Sequence, residues 1–451
     1  MTARKQVCIS DLIEGQPSFS RFGLRLIVLS CLVTFVDGFD MQGISFLAPY
    51  LVEDFDLDAQ ALGSLFSSGL FGAMLGGPLG GFLGDRWGRR PTTILFTLLS
   101  GFLTASLVLS PDFATLMVLR FLGGITIGGV IPVIWALNLD FAPQARRSTT
   151  IVIIMIGYFL GSAVSGPLTV WLAPQFGWEG LWLLGGAVTV LSALVLVIWL
   201  PESPYHLVRK ESDRHRLAAT LQAVSPRRGI DASDSFIAAD TEQGVKGRSR
   251  LAQLFEGRFA VITPLLWVAY IASSSAMYFK ATWGPTLYEM IGFTRSEAAY
   301  IATAAGLFGA VLGLVVGKLI DRFGLLSLVI VALLAIPPLL AIGLAPISLA
   351  AIAATVLLSG ALISGVHSGM HSIAGRYYPS ESRASGAGWA TSIAKFGSVA
   401  APTAGGLILA SGLPIRQSFV LLAACPLLLA VALAVIYPTL RKNDLASRLS
   451  S

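Results

Sequence analysis

Long apolar runs separated by short polar turns organise the 451 residues of this chain. Twelve such runs lie near 22–50, 60–84, 91–110, 113–139, 148–173, 179–200, 259–288, 296–320, 325–345, 347–374, 384–411 and 416–437. Each reaches the roughly 20 residues that carry a helix across a bilayer. Transmembrane strands would be shorter and would alternate apolar with polar positions. The pattern therefore predicts an all-α polytopic membrane protein of twelve transmembrane helices in two six-helix halves. A polar stretch divides them, so the expected organisation is an N-terminal bundle over 1–200, a cytoplasmic linker over 201–258 and a C-terminal bundle with a short tail over 259–451. The linker contains "RKESDRHR", "SPRRG" and "KGRSR" and reads as hydrophilic, with a short helix. The first run follows a polar stretch holding Asp11 and Glu14 and lacks a small-residue cleavage site, which predicts a retained helix and not a signal peptide.

Composition agrees, with 55% hydrophobic and 12% charged residues, where soluble proteins carry about 25% charged. Cys8, Cys31 and Cys425 are too few and too scattered for a disulfide framework or a metal cluster. A net charge of +6 could suggest a nucleic-acid partner, but the positions of the charges exclude that reading. With both termini and the linker in the cytoplasm, Arg120, Lys280, Arg295, Lys395 and Arg416 are the exceptions among 31 Lys and Arg residues; the others face inward. The first outer loop, "VEDFDLDAQ", is acidic.

The two halves share a repeat. "GPLGGFLGDRWGRR" follows the second run and "GLVVGKLIDRFG" the eighth, aligning Gly77, Gly81, Asp85, Arg86 and Gly88 with Gly313, Gly317, Asp321, Arg322 and Gly324. Glycines four apart are expected to let neighbouring helices approach closely. Repeated halves are typical of secondary transporters with a mid-membrane binding site. On these motifs the chain resembles the major facilitator superfamily across nearly its whole length. The resemblance implies a cytoplasmic conformational latch at Asp85, Arg86, Arg89 and Arg90, echoed by Asp321 and Arg322. Two further cytoplasmic stretches read as gate ion pairs: "NLDFAPQARR", with Asp140 beside Arg146 and Arg147, and "RYYPSESRASGAGWA", with Arg383.

The chemistry sits where lipid disfavours it. In "TFVDGFDMQG", Asp37 and Asp40 share one face of the first helix a turn apart. Intramembrane acids cost about 2.5–3.5 kcal/mol and mark proton or ion pathways, or else form buried ion pairs. Arg120, Lys280 and Lys395 are the basic counterparts; three cations against two carboxylates leave the core able to accept an anion. Any of the three is a candidate for a substrate carboxylate. Phe39, Tyr278, Trp283, Trp389 and Phe396 cluster near these charges and could stack on a flat acid; Gly284-Pro285 after Trp283 marks a breakable helix. His367 and His371, four residues apart in "SGVHSGMHSIAG", lack a third metal ligand nearby and are expected to line the cavity as hydrogen-bonding groups.

Taken together, "DGFD", "DRWGRR", Arg120 and "YYPSESRASGAGWA" resemble the aromatic acid:proton symporters within that superfamily. The resemblance implies uptake of a benzoate-like acid with a proton across a bacterial inner membrane, with Asp37 and Asp40 coupling, no cofactor beyond the proton gradient, and function as a monomer. The sequence departs from that family at Asp140, where Glu is usual, at Ala394-Lys395, where Gly-Arg is usual, and at His367 and His371, where amides are expected. A proton-coupled efflux antiporter for hydrophobic compounds and a transporter-like substrate sensor are the alternatives. No nucleophile–base or metal constellation points to an enzyme.

Overall fold

The computed structural model describes residues 6–15, 20–209, 213–225, 229–237, 254–378 and 383–449. A strand β1 (Gln6–Cys8) and helix α1 (Ile9–Glu14) precede α2 (Arg21–Phe55), α3 (Ala59–Trp87), α4 (Arg89–Ser106), α5 (Phe113–Leu139) and α6 (Arg147–Trp199). Helices α7 (Pro204–Arg209) and α8 (Arg214–Val224) and strand β2 (Ser235–Ile237) follow. Then come α9 (Phe259–Met290), α10 (Arg295–Phe323), α11 (Leu325–Leu334), α12 (Ile336–Leu344), α13 (Leu349–Tyr377), α14 (Arg383–Ala410), α15 (Gln417–Leu422) and α16 (Ala424–Leu449). Hydrocarbon offers no water to satisfy backbone groups, so apolar runs of this length close their hydrogen bonds within helices.

Among the described residues eleven helical stretches are long and apolar enough to cross a membrane. One of them, Gln144–Trp199, has 56 residues. At about 1.5 Å per residue that is far more than the roughly 30 Å of a hydrocarbon core. It breaks at Gly177, whose φ of 70° and ψ of −177° are not helical. The stretch is therefore two crossings, which gives the twelve expected. Large apolar side chains such as Leu314 and Val311 stand more than 60% exposed and form the lipid-facing surface.

Close helix contact falls on different glycines from those of the repeat. A Cβ at Gly77 would meet nothing nearer than 3.8 Å, and one at Gly81 or Gly317 nothing within 4 Å. Of the four only Gly313, 3.0 Å from Ser368, is tight. The helices meet instead one register over, where a Cβ at Gly72 or Gly76 would stand 2.1 Å from the carbonyl oxygens of Phe121 and Ile125. Four-residue spacing predicts that some glycine face packs, and here Gly72, Gly76 and Gly80 carry the close contact with α5, while Gly77 comes only to van der Waals distance of the Gly128 carbonyl oxygen and Gly81 meets nothing.

The chain divides into two compact units. Met1–Met41, Phe71–Ser162 and Glu179–Val245 form one; Gln42–Leu70, Ala163–Trp178 and Lys246–Ser451 form the other. In the first unit, Phe22, Leu26 and Val33 of α2 pack with Phe96, Ile134 and Leu196 in one core. In the second, Gln42 donates to the Ala281 carbonyl at 3.0 Å, and Ser67 donates to the Val399 carbonyl at 2.7 Å.

The polar N-terminal stretch and the linker hold a folded module that their composition hides. β1 pairs in parallel with β2, Val7 opposite Phe236. Ile9, Leu12 and Ile13 of α1 pack on Leu207 of α7 and on Leu217 and Leu221 of α8. Glu14 then accepts a bond from the Gln144 backbone N–H at 2.9 Å, tying the module to the start of α6. Truncating a buried leucine costs about 2–5 kcal/mol, more than so small a core can lose. Leu12→Ala is therefore expected to speed limited proteolysis between residues 204 and 237 in the purified protein. Digestion at the wild-type rate would show that the module does not depend on this core.

Candidate functional site

The first helix sets up the site. Asp37 and Asp40 are each only 6% exposed. The chain can bring them inside because Gly38 lies between them, where any Cβ would stand 2.1 Å from the Tyr158 carbonyl oxygen. That contact seats α2 directly on α6. The ring of Phe39 packs where a Cβ of Gly185 would be, 2.8 Å away.

Asp40 is held by three hydrogen bonds from two side chains, one on α4 and one on α5. Its Oδ1 accepts from Arg120 at 2.8 Å, and its Oδ2 from the Thr104 hydroxyl at 3.3 Å. Arg120 also donates to the backbone carbonyl of Asp40 at 3.2 Å. Both side chains of the pair are only 5% exposed. A pair buried this deeply gains little net stability, but removing one partner leaves a bare charge, which costs about 3–5 kcal/mol.

In the second unit the seam between α9 and α13 is polar. Lys280 donates to the Gly360 carbonyl and the Ser364 hydroxyl, both at 3.1 Å. Among the described residues no carboxylate lies within salt-bridge distance of it. Farther along, Ser273 bonds Nδ1 of His367 at 3.1 Å. The Tyr278 ring meets His367 edge-on at 6.4 Å, and His367 meets His371 at 5.1 Å and 77°. Lysine, two histidines and Tyr278 are thus brought together.

The other predicted residues lie elsewhere. Trp283 is 1% exposed and donates to the Pro402 carbonyl at 2.9 Å, edge-on to Phe66, so it is a packing residue. Trp389 stacks on Trp267 at 6.2 Å. Lys395 and Phe396 stand exposed on α14. Arg383 opens α14, but its side chain lies outside the described residues.

The polar turn after α3 is held by some of the expected residues and by one that sequence reasoning missed. Asp140 pairs with Arg89, accepts from Ser203 and also feels the charge of Arg147. Burial pushes its carboxyl above the ordinary range, against the pull of Arg89. Glu202 accepts from the backbone N–H groups of Arg89 and Arg90 at 3.0 and 3.2 Å, capping the positive end of α4. Gly88 makes room for it with a φ of 115°. Arg90 donates to the Leu200 and Val197 carbonyls. Asp85 and Arg86 are exposed in the last turn of α3, and Asp321 and Arg322 in the last turn of α10, where the Arg322 guanidinium stacks on Phe323 at 5.1 Å. The signal for Glu202 was present in "LPESP", an acid directly after an apolar run.

A second charged cluster, also missed, centres on Arg295. It pairs with Glu53 and, at 3.0 Å, with Glu289, and stacks over Tyr50 at 4.6 Å.

The sequence family described as the Major Facilitator Superfamily matches residues 30–353 and 266–450. The 4-hydroxybenzoate transporter PcaK of Pseudomonas putida is 32% identical, over 92% of this chain and 92% of its own. A gallate transporter of Pseudomonas putida is also 32% identical, over 92% of this chain and 91% of its own. Among solved structures, the xylose transporter XylE from E. coli in a partially occluded inward-open conformation superposes with a TM-score of 0.69. It is 16% identical and covers 91% of this chain and 97% of that one, a likeness of fold.

Arg120→Ala is expected to destabilise the detergent-solubilised protein by about 3–5 kcal/mol, read as a lowered Tm. Asp40→Asn in the same chain should recover part of the loss. Absence of any recovery would mean that the two charges do not depend on each other.

Proposed function

Because the chain belongs to the Major Facilitator Superfamily, we propose that it carries an aromatic carboxylate together with a proton, by alternating access, into a bacterial cell across the inner membrane. The observation that carries this reading is the pairing of two charged seats of opposite kind. One is the buried Asp40–Arg120 pair with Asp37 a turn away. The other is the Lys280 ammonium, hydrogen-bonded only to neutral groups among the described residues.

The Asp40 carboxylate holds one guanidinium, and what can displace that guanidinium is another positive charge on the same carboxylate. A proton supplies it. Protonating Asp40 weakens its hold on Arg120, and returning the proton to the cytoplasm restores the pair; that exchange is the coupling step. Lys280 is the seat for the substrate carboxylate. A cation that has shed water and met only a carbonyl and a hydroxyl gains most from an anionic ligand. The same ammonium argues against a cationic cargo and hence against an efflux antiporter for such compounds. Carriage of 4-hydroxybenzoate and gallate by relatives, as their names state, supports an aromatic acid. Positive charge in the inward loops supports termini and linker in the cytoplasm, and one copy of the chain holds both seats, which supports a monomeric carrier. Arg89, Asp140, Glu202 and Ser203 act as the cytoplasmic latch.

Proteoliposomes with an inward proton gradient are expected to accumulate labelled 4-hydroxybenzoate. Asp40→Asn should abolish that accumulation while sparing exchange of substrate across the membrane. Lys280→Met should weaken binding by roughly 10–150-fold, the loss of one charge-assisted bond. Gradient-driven accumulation undiminished in Asp40→Asn, or unchanged affinity in Lys280→Met, would overturn the respective assignment.

A further inference from the structure

The break expected at Gly284-Pro285 does not open α9, which stays helical from Phe259 to Met290 with Pro285 inside it. Proline has no N–H, so the carbonyl four residues earlier loses its helical donor. That carbonyl belongs to Ala281, and its donor comes from another helix. The Gln42 amide of α2 gives it one N–H, at 3.0 Å. Gln42 gives the other to the Ser45 hydroxyl at 2.6 Å, while Ser45 donates to the Gln42 backbone carbonyl at 2.7 Å. The amide is thus held with its nitrogen toward α9; turned over, it would set oxygen against oxygen. Neighbouring helices commonly refill the groups that a proline frees in a membrane helix, and here the refill is a single side chain.

The same device recurs on α14. Beside Pro402 of that helix, Ser67 of α3 donates to the Val399 carbonyl at 2.7 Å and accepts from the Thr403 N–H at 3.1 Å. Those two groups pair with each other in an unbroken helix. What sets Gln42 apart is its place on both helices that it joins. On α2 it stands two residues past Asp40, about 200° round and about 3 Å along the axis, so acid and amide lie on different faces of one helix. On α9 its partner Ala281 directly follows Lys280. Between Met41 and Gln42, α2 itself passes from the first unit to the second.

We propose that Gln42 is a positioning residue that carries the protonation state of Asp40 to Lys280. When Asp40 takes a proton and loosens its hold on Arg120, α2 is released on that face and shifts. The Gln42 amide moves with it and draws on the Ala281 carbonyl, at a turn of α9 where Pro285 leaves no helical bond to resist. Lys280, one residue before, is then displaced against Gly360 and Ser364, the neutral groups that hold it. Proton and anion are coupled through one amide and need not touch. This rests on Asp40 as the coupling acid and Lys280 as the carboxylate seat.

The test joins stability to transport in the full chain. Gln42→Met keeps the length of the side chain and removes its donors. In detergent it should lower the Tm by about 2–4 °C, as an orphaned buried carbonyl does. In a Pro285→Ala background, where position 285 regains an N–H for Ala281, the same substitution should cost much less. In proteoliposomes, gradient-driven accumulation of labelled 4-hydroxybenzoate should fall about 5–150-fold in Gln42→Met, the range of a coupling between two sites. Exchange of substrate without a gradient should be largely kept, whereas losing a side chain that only supports the fold would lower both together. Gln42→Asn, one methylene short of Ala281, is the milder variant and should show the same split if the methionine chain does not fold. An equal Tm loss in both backgrounds overturns the bond across the proline break. Undiminished accumulation, or an equal loss of accumulation and exchange, overturns the coupling role. A wild-type chain that accumulates no 4-hydroxybenzoate fails the proposed function instead, a different outcome from any of these.

Discussion

A full charge inside an apolar bundle must be answered by another, and the bond between Asp40 and Arg120 is where this chain meets that demand most completely. The pair draws α2, α4 and α5 to a single point, with Thr104 and the Asp40 carbonyl filling the remaining bonding directions. It also explains the shape of the surrounding helices. Gly38 has no side chain because α6 must come within backbone contact of α2 there. An intramembrane acid is affordable only where such packing excludes lipid from it, so the small residues and the charges belong to one design.

The same rule sorts the other cations. Arg120, Arg89 and Arg295 each meet a carboxylate, and each presents the planar fork that suits one. Lys280 meets only neutral oxygens among the described residues. A lysine in that setting is a compact charge on a flexible stem, free to exchange a serine hydroxyl for an incoming anion. The contrast sets three cations that join helices through carboxylates apart from one held by neutral groups, which is the ground for proposing Lys280 as the ligand's seat.

Much of this was legible in the chain because hydropathy is a local property. The spans, the two acids of "DGFD" and the basic interruptions at Arg120 and Lys280 stand out against apolar neighbours. Partnership is not local: Asp40 finds Arg120 eighty residues away, and nothing in the sequence says that Lys280 would find a serine and a carbonyl. Glycine periodicity gave the spacing of the contact face but not its phase, since of the adjacent letters Gly76 and Gly77 only the first comes within close backbone contact of α5. The module of α1, α7 and α8 was hidden for a different reason. Its strands have three residues each and its apolar positions are diluted by charge, so neither half shows a pattern until the other is beside it.

That module carries a topological consequence. β1 and β2 share hydrogen bonds, so the start of the chain and the segment after α8 occupy the same side of the bilayer. The number of crossings between them must then be even. Only five long helices, α2 to α6, stand in that interval, and an odd count would strand the two strands in opposite compartments. Parity thus requires the helix broken at Gly177 to make an even number of crossings, and with 56 residues in that stretch the number is two. A three-residue strand pair outside the membrane thereby reports on the threading within it.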